Sequence, residues 1–169
     1  MLRPRDLRLN FAHAESYVKI SDWREFKNGN MENIPSTGSI KYFYGNDFST
    51  EWKFSSLKPF VDDEINPRGG RKGSLKYSYN LDNLISGFAF NAASGTNTTL
   101  YDKAYYHRVE GTYTEYLKMP IKDHTLDMSF QGGIIPNKVD GFFNFFGGGL
   151  AGLKGYSFYS IEGNKLALI

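Results

Sequence analysis

His124-Thr125-Leu126-Asp127-Met128-Ser129-Phe130-Gln131-Gly132-Gly133-Ile134-Ile135 alternates with a period of two. Its even positions hold His124, Leu126, Met128, Phe130, Gly132 and Ile134, and its odd positions Thr125, Asp127, Ser129, Gln131, Gly133 and Ile135. Successive side chains of an extended strand point to opposite faces, so the stretch describes a strand with one apolar and one wet face. Residues 107–119 carry the same pattern, with Val109, Tyr113, Leu117 and Met119 set against Arg108, Glu110, Thr112, Thr114 and Lys118. Glu115 and Tyr116 break it. Pro120-Ile121-Lys122-Asp123 reads as a turn, and the two strands are predicted to form an antiparallel hairpin.

Working outward, Leu75, Tyr77, Tyr79 and Leu81 alternate with Lys76, Ser78, Asn80 and Asp82. Ile40, Tyr42 and Tyr44, then Gly45-Asn46-Asp47, then Trp52 and Phe54 predict a second, shorter hairpin. Residues 8–20 are extended by composition, with a parity switch midway, and residues 84–91 and 163–169 complete the expected strands. Clusters of Gly, Pro, Asn, Asp and Ser mark residues 28–38, 62–73 and 91–97 as loops. No heptad or internal repeat is present. The fold class is all-β, an antiparallel meander of roughly seven or eight strands within one domain, 1–169.

Composition says which solvent such strands suit. Aromatic residues make up 17% of the 169-residue chain, with 12 Tyr and 14 Phe, yet 22% of residues are charged and mean hydropathy is −0.47. That combination fits sheets with one apolar and one wet face. Strands of about 9 to 13 residues exceed the ~5 to 6 usual in soluble sheets and match the ~9 to 11 that cross a bilayer when tilted. Tyr and Trp near strand ends fit the aromatic girdles of outer-membrane barrels. Long alternating strands also occur in soluble sandwiches, so periodicity leaves both architectures open.

Several chemistries are excluded or disfavoured. There is no cysteine, hence neither a disulfide framework nor a thiolate metal site. The net charge of +2 is scattered without a basic block, which argues against nucleic acid as a partner. Gly147-x-Gly149-x-x-Gly152 has dinucleotide-fingerprint spacing but lacks the following helix pattern and the acidic residue ~20 positions on, and Leu153 stands where a P-loop needs Lys. His13, His107 and His124 are far apart in sequence; His107 and His124 could face each other across the hairpin, but no third ligand is evident. Asp62-Asp63-Glu64 reads as a solvated charge run. No Ser or Thr carries a nucleophile motif, so the chain is read as a non-enzyme that needs no cofactor. Residues 1–8 are charged where an export signal needs an apolar run, and no segment is apolar and long enough for a spanning helix.

The glycine-rich end of the chain adds a likeness to a known family. Gly148-Gly149-Leu150, then Gly152-Leu153-Lys154-Gly155-Tyr156-Ser157-Phe158-Tyr159-Ser160-Ile161-Glu162-Gly163-Asn164, resembles the signature-loop region of the bacterial surface antigens, the BamA-like outer-membrane barrels. In that family an extracellular loop folds into the barrel and carries Val/Ile/Leu, Arg, Gly and Phe/Tyr in succession. Leu153, Lys154, Gly155 and Tyr156 match those places, with Gly148, Gly149, Gly152 and Gly163 as loop glycines. Lys154 departs from the family's Arg, whose planar fork an ammonium cannot copy. The resemblance covers residues 106–169 well and the first hundred only by general pattern.

What the resemblance implies is a partial transmembrane β-barrel, a fragment of a longer chain whose family barrels have about sixteen strands. It further implies outer-membrane localisation, contact with outer-membrane lipid, and a part in membrane insertion or translocation of unfolded outer-membrane protein clients. The implied mechanism is strand addition at a weak seam while the inward loop, with Tyr156 as wedge and Lys154 as cation, stabilises the lumen. Two other readings remain open: a passive outer-membrane channel or receptor, and a soluble secreted β-sandwich that binds carbohydrate.

Overall fold

The computed structural model describes residues 6–19, 23–27, 29–34, 38–59, 65–92, 96–121, 124–148 and 155–169. Ten strands follow in order: β1 (Asp6–Lys19), β2 (Trp23–Lys27), β3 (Asn30–Ile34), β4 (Ser39–Leu57), β5 (Gly70–Asn91), β6 (Thr96–Lys118), β7 (Thr125–Ile134), β8 (Phe145–Gly147), β9 (Ile161–Gly163) and β10 (Lys165–Leu168). A single 3-10 turn, Gly141–Phe143, is the only helical element among the described residues. The main sheet has the order β1-β4-β5-β6-β7-β10, with β2-β3 and β8-β9 as separate two-stranded ribbons. The chain is thus an all-β antiparallel meander, and β1 and β10 are edge strands among the described residues.

The predicted hairpin forms in one unbroken register of ten rungs, from Val109 opposite Ile134 to Lys118 opposite Thr125. Its turn closes where Met119 N donates to the His124 carbonyl at 3.1 Å and His124 N donates to the Ile121 carbonyl at 3.3 Å. The same register corrects the suggestion that His107 and His124 meet. They flank opposite ends of the ladder, and His107 instead stacks on Tyr79, centroids 4.9 Å apart, and bonds the Tyr77 hydroxyl at 2.8 Å.

Three further expectations are corrected. Gly45-Asn46-Asp47 is no turn, because β4 runs through it for 19 residues. Gly45 is there for close approach: a Cβ at this position would collide with the Asp82 carboxylate, while the Asn46 amide oxygen meets the His13 ring at 2.8 Å. Residues 74–82 and 84–91 are one strand of 22 residues rather than two. Inside the expected loop 28–38, β3 pairs with β2 from Trp23 opposite Ile34 to Lys27 opposite Asn30. In the sequence, Asn-Gly at 28–29 is a two-residue hairpin signal, which should outweigh the polar composition around it. The Asp62-Asp63-Glu64 run lies outside the described residues.

Two compact units divide the chain: Met1–Phe11, Asp47–Asn80 and Tyr105–Ile169 in one, Ala12–Asn46 and Leu81–Ala104 in the other. The second is knit by side chains around Lys41, whose ammonium lies 2.5 Å from Glu15 Oε1 and within 5.4 and 5.6 Å of the Tyr17 and Tyr44 ring centroids. Tyr101 donates to the Lys41 carbonyl at 2.8 Å and packs edge-on against Tyr44.

The first unit segregates its faces. Rung by rung, Val109 and Ile134, Tyr113 and Phe130, and Leu117 and Leu126 share one face; Glu110 and Gly133, Thr112 and Gln131, and Thr114 and Ser129 share the other. The two exceptions in the sequence pattern have partners on their own faces. Glu115 accepts the Tyr113 hydroxyl on the apolar face, and Tyr116 lies under the Lys72 ammonium, 5.4 Å from the ring centroid, on the polar one. The apolar face is open: Leu126 is 45% exposed and Ile134 39%. Trp52, Phe54, Tyr113 and Phe130 form an aromatic row across it, with successive centroids 5.2 to 6.4 Å apart.

Candidate functional site

Between β7 and β10 the chain leaves the sheet after Ile134 and returns at Lys165, whose strand pairs back onto β7 from Ile134 to Gln131. The excursion between them is the candidate site. Its entry and exit are tied together, since Ile135 N donates to the Asn164 carbonyl at 2.8 Å and the Asn164 amide returns a bond to the Ile135 carbonyl at 3.4 Å. Ile135 is fully buried. Asn137 Oδ1 then accepts the His107 backbone N–H at 3.1 Å, capping β6 where β7 no longer pairs with it.

A short 3-10 turn follows because Asp140 can cap it: its carboxylate accepts Phe142 N at 2.9 Å and its carbonyl accepts Phe143 N at 3.0 Å. The turn delivers Phe143 onto Tyr106, centroids 5.3 Å apart, and both rings are buried. Two residues on, Phe145 is seated still more tightly. It is 4% exposed, the Arg108 guanidinium lies 4.3 Å above its centroid, and a Cβ on Gly133 would come within 2.5 Å of the ring. Gly133 is therefore a notch cut in the sheet for one aromatic ring. Arg108 is held in turn by Glu110 at 3.2 Å.

Tyr106, Arg108 and Gly133 all belong to the polar face, so this is the face on which the excursion rests. β8 and β9 keep its two arms in register, with Phe145 opposite Gly163, Phe146 opposite Glu162 and Gly147 opposite Ile161. The Asn144 amide donates to Glu162 Oε1 at 2.9 Å, and the carboxylate presses on Gly141, where a Cβ would lie 2.5 Å from it. Beyond this base the described residues are open: Tyr156 is 58% and Phe158 65% exposed. Tyr159 adopts a left-handed φ of 56° and meets Phe146 edge-on at 5.6 Å.

Of the predicted signature residues, Gly149, Gly152, Leu153 and Lys154 lie outside the described residues. Gly148 has φ +110°, and a Cβ there would strike the Ser157 carbonyl; Gly155 also has positive φ, at +96°. Gly163 supplies the rung opposite Phe145. Tyr156, expected as the wedge, is exposed, and the rings seated on the polar face are Phe143 and Phe145. Sequence reasoning passed over these two, along with Arg108, Gly133 and Tyr106. The signal was present in Gly132-Gly133, which interrupts a strand otherwise free of glycine and alanine.

The polar face also carries a shallow groove of about 350 Å³, lined by Lys53, Ser55, Lys72, Ser74, Thr112 and Thr114 among others. No cluster of three metal-ligating side chains exists among the described residues. Comparison with family models, curated proteins and solved structures returns no match to this chain.

Proposed function

We propose that this chain is part of an outer-membrane β-barrel of the BamA-like class, working in assembly or translocation of other proteins rather than in catalysis. The observation that carries the reading is the pairing of two facts about one hairpin. Its apolar face, five of the ten rungs, leaves Leu117, Leu126, Met128, Phe130 and Ile134 exposed, and the glycine-rich excursion rests on the opposite, polar face. Ten residues at ~3.4 Å each, tilted by ~40°, cover about 26 Å, the height of an outer-membrane apolar band. A soluble sandwich would bury such a face against a second sheet, and no second sheet of comparable size occurs among the described residues.

Strand addition, the means by which such a barrel would handle clients, uses backbone groups at a sheet edge, and β1 and β10 are edge strands among the described residues. Fractionation of the native host tests the membrane part: the full-length parent is expected in the outer membrane. Depletion of the parent then separates the two barrel readings. Loss of many other barrels from the membrane is the expected outcome, while loss of passage of a single solute would favour a passive channel. A monodisperse, detergent-free monomer in buffer would sink both and favour the carbohydrate-binding sandwich.

A further inference from the structure

Between β5 and β6, Ser74 Oγ meets Thr112 Oγ1 at 2.8 Å and the Tyr79 ring stacks on His107. Both pairs satisfy one antiparallel register of β5 with β6, in which Ser78 stands opposite Arg108 and Asn80 opposite Tyr106. Ser78 and Asn80 share the polar face with Ser74, and they are 1% and 8% exposed. They lie beside the two residues that Phe143 and Phe145 cover. Two buried donors in this region, Asn80 Nδ2 and Arg108 Nε, have no acceptor, and Arg108 is the residue under Phe145. Most buried polar groups find a partner, and a buried donor without one opposes the arrangement that buries it.

We infer that the base of the excursion, residues 141–147 with 161–163, is a strap that opens and recloses over the polar face. It is held shut by Phe143 and Phe145 and biased toward opening by the orphaned donors of Asn80 and Arg108. The closed state gains ring burial, the Gly133 notch and the guanidinium–ring contact; the open state gives both donors to water. Two discrete arrangements with opposing terms of this kind make a bistable element. When open, it uncovers Ser78, Asn80 and the Arg108–Glu110 pair as a polar surface. The inference goes beyond the proposed function and holds whether the apolar face meets lipid or not.

The chain has no cysteine, so a single introduced thiol reports opening cleanly. Ser78→Cys in the full chain, alkylated with a maleimide under native conditions, is expected to react slowly, and Phe145→Ala in the same chain to speed it at least tenfold. Asn80→Leu removes one orphaned donor while filling similar space and is expected to slow the reaction several-fold, a change opposite in sign to damage from misfolding. Ser129→Cys, exposed on the same face, should react at one rate in every background. Equal Ser78→Cys rates with and without Phe145→Ala would overturn the strap. So would a rate that only follows global unfolding by circular dichroism, or an Asn80→Leu chain that reacts faster.

Discussion

Gly133→Val should free the excursion while leaving the sheet beneath it intact. Gly133 has none of the positive φ found at Gly148 or Gly155, so its backbone accepts a side chain, and a β-branched residue suits its place between Glu110 of β6 and Leu166 of β10. What it cannot accept is the Phe145 ring, since three ring atoms lie 2.5, 2.8 and 3.2 Å from the position of a Cβ. The ring must leave the notch, exposing a side chain now 4% exposed and breaking its contact with Arg108. Loss of full phenyl burial is worth about 2 to 3 kcal/mol, and the guanidinium contact about 0.5 to 1 more. Local opening should become roughly 60- to 700-fold easier at about 1.4 kcal/mol per factor of ten. Native-state hydrogen exchange reads this directly. The amides of Phe143, Asn144 and Ile135, which bond to Asp140, Gly141 and Asn164, should lose protection by that factor. Amides of the ten-rung ladder should not. Unchanged protection at Ile135 and Phe143 would refute the notch as the anchor, and equal loss along β6 and β7 would show that the substitution acts on the sheet itself.

Other outcomes follow from the same geometry. Arg108→Lys keeps the charge but loses the planar face over Phe145, and should raise exchange at Phe143 and Asn144 by about tenfold or less, where Arg108→Ala raises it further. For a chain folded into lipid vesicles, Leu126→Arg on the apolar face should destabilise by about 2 to 4 kcal/mol in urea titration, while Ser129→Arg on the polar face stays near neutral; equal effects would argue against lipid on the apolar face. Glu162→Ala should loosen Asn144, whereas Glu162→Gln, which keeps an oxygen acceptor, should largely preserve it by exchange.

Much of the sheet was legible in the amino-acid order because period-two alternation is a local property. The strands at 107–119 and 124–135, their turn and their antiparallel pairing follow from which residues must share a face, and a slip of one residue would invert both faces. Where the order misled, long-range contact overrode a local signal. Gly45-Asn46-Asp47 has turn chemistry, but the approach of Asp82 and the bond to His13 keep it extended. Asn28-Gly29 carried a hairpin signal that surrounding polar residues obscured.

The glycine-rich end shows the division most sharply. Its composition alone required shaped backbone beside aromatic rings, as the positive φ of Gly148 and Gly155 bears out. No periodicity, however, says which of Phe142, Phe143, Phe145, Phe146 and Tyr156 is seated and which is exposed. That choice rests on a vacancy at Gly133 and a cation at Arg108, 12 and 37 residues before Phe145 in the chain, brought to one place only when β6 and β7 pair. Alternation along a strand is written residue by residue, and the sequence alone determines it. The seat for a ring is made by residues distant in sequence, and only the tertiary structure decides which ring takes it.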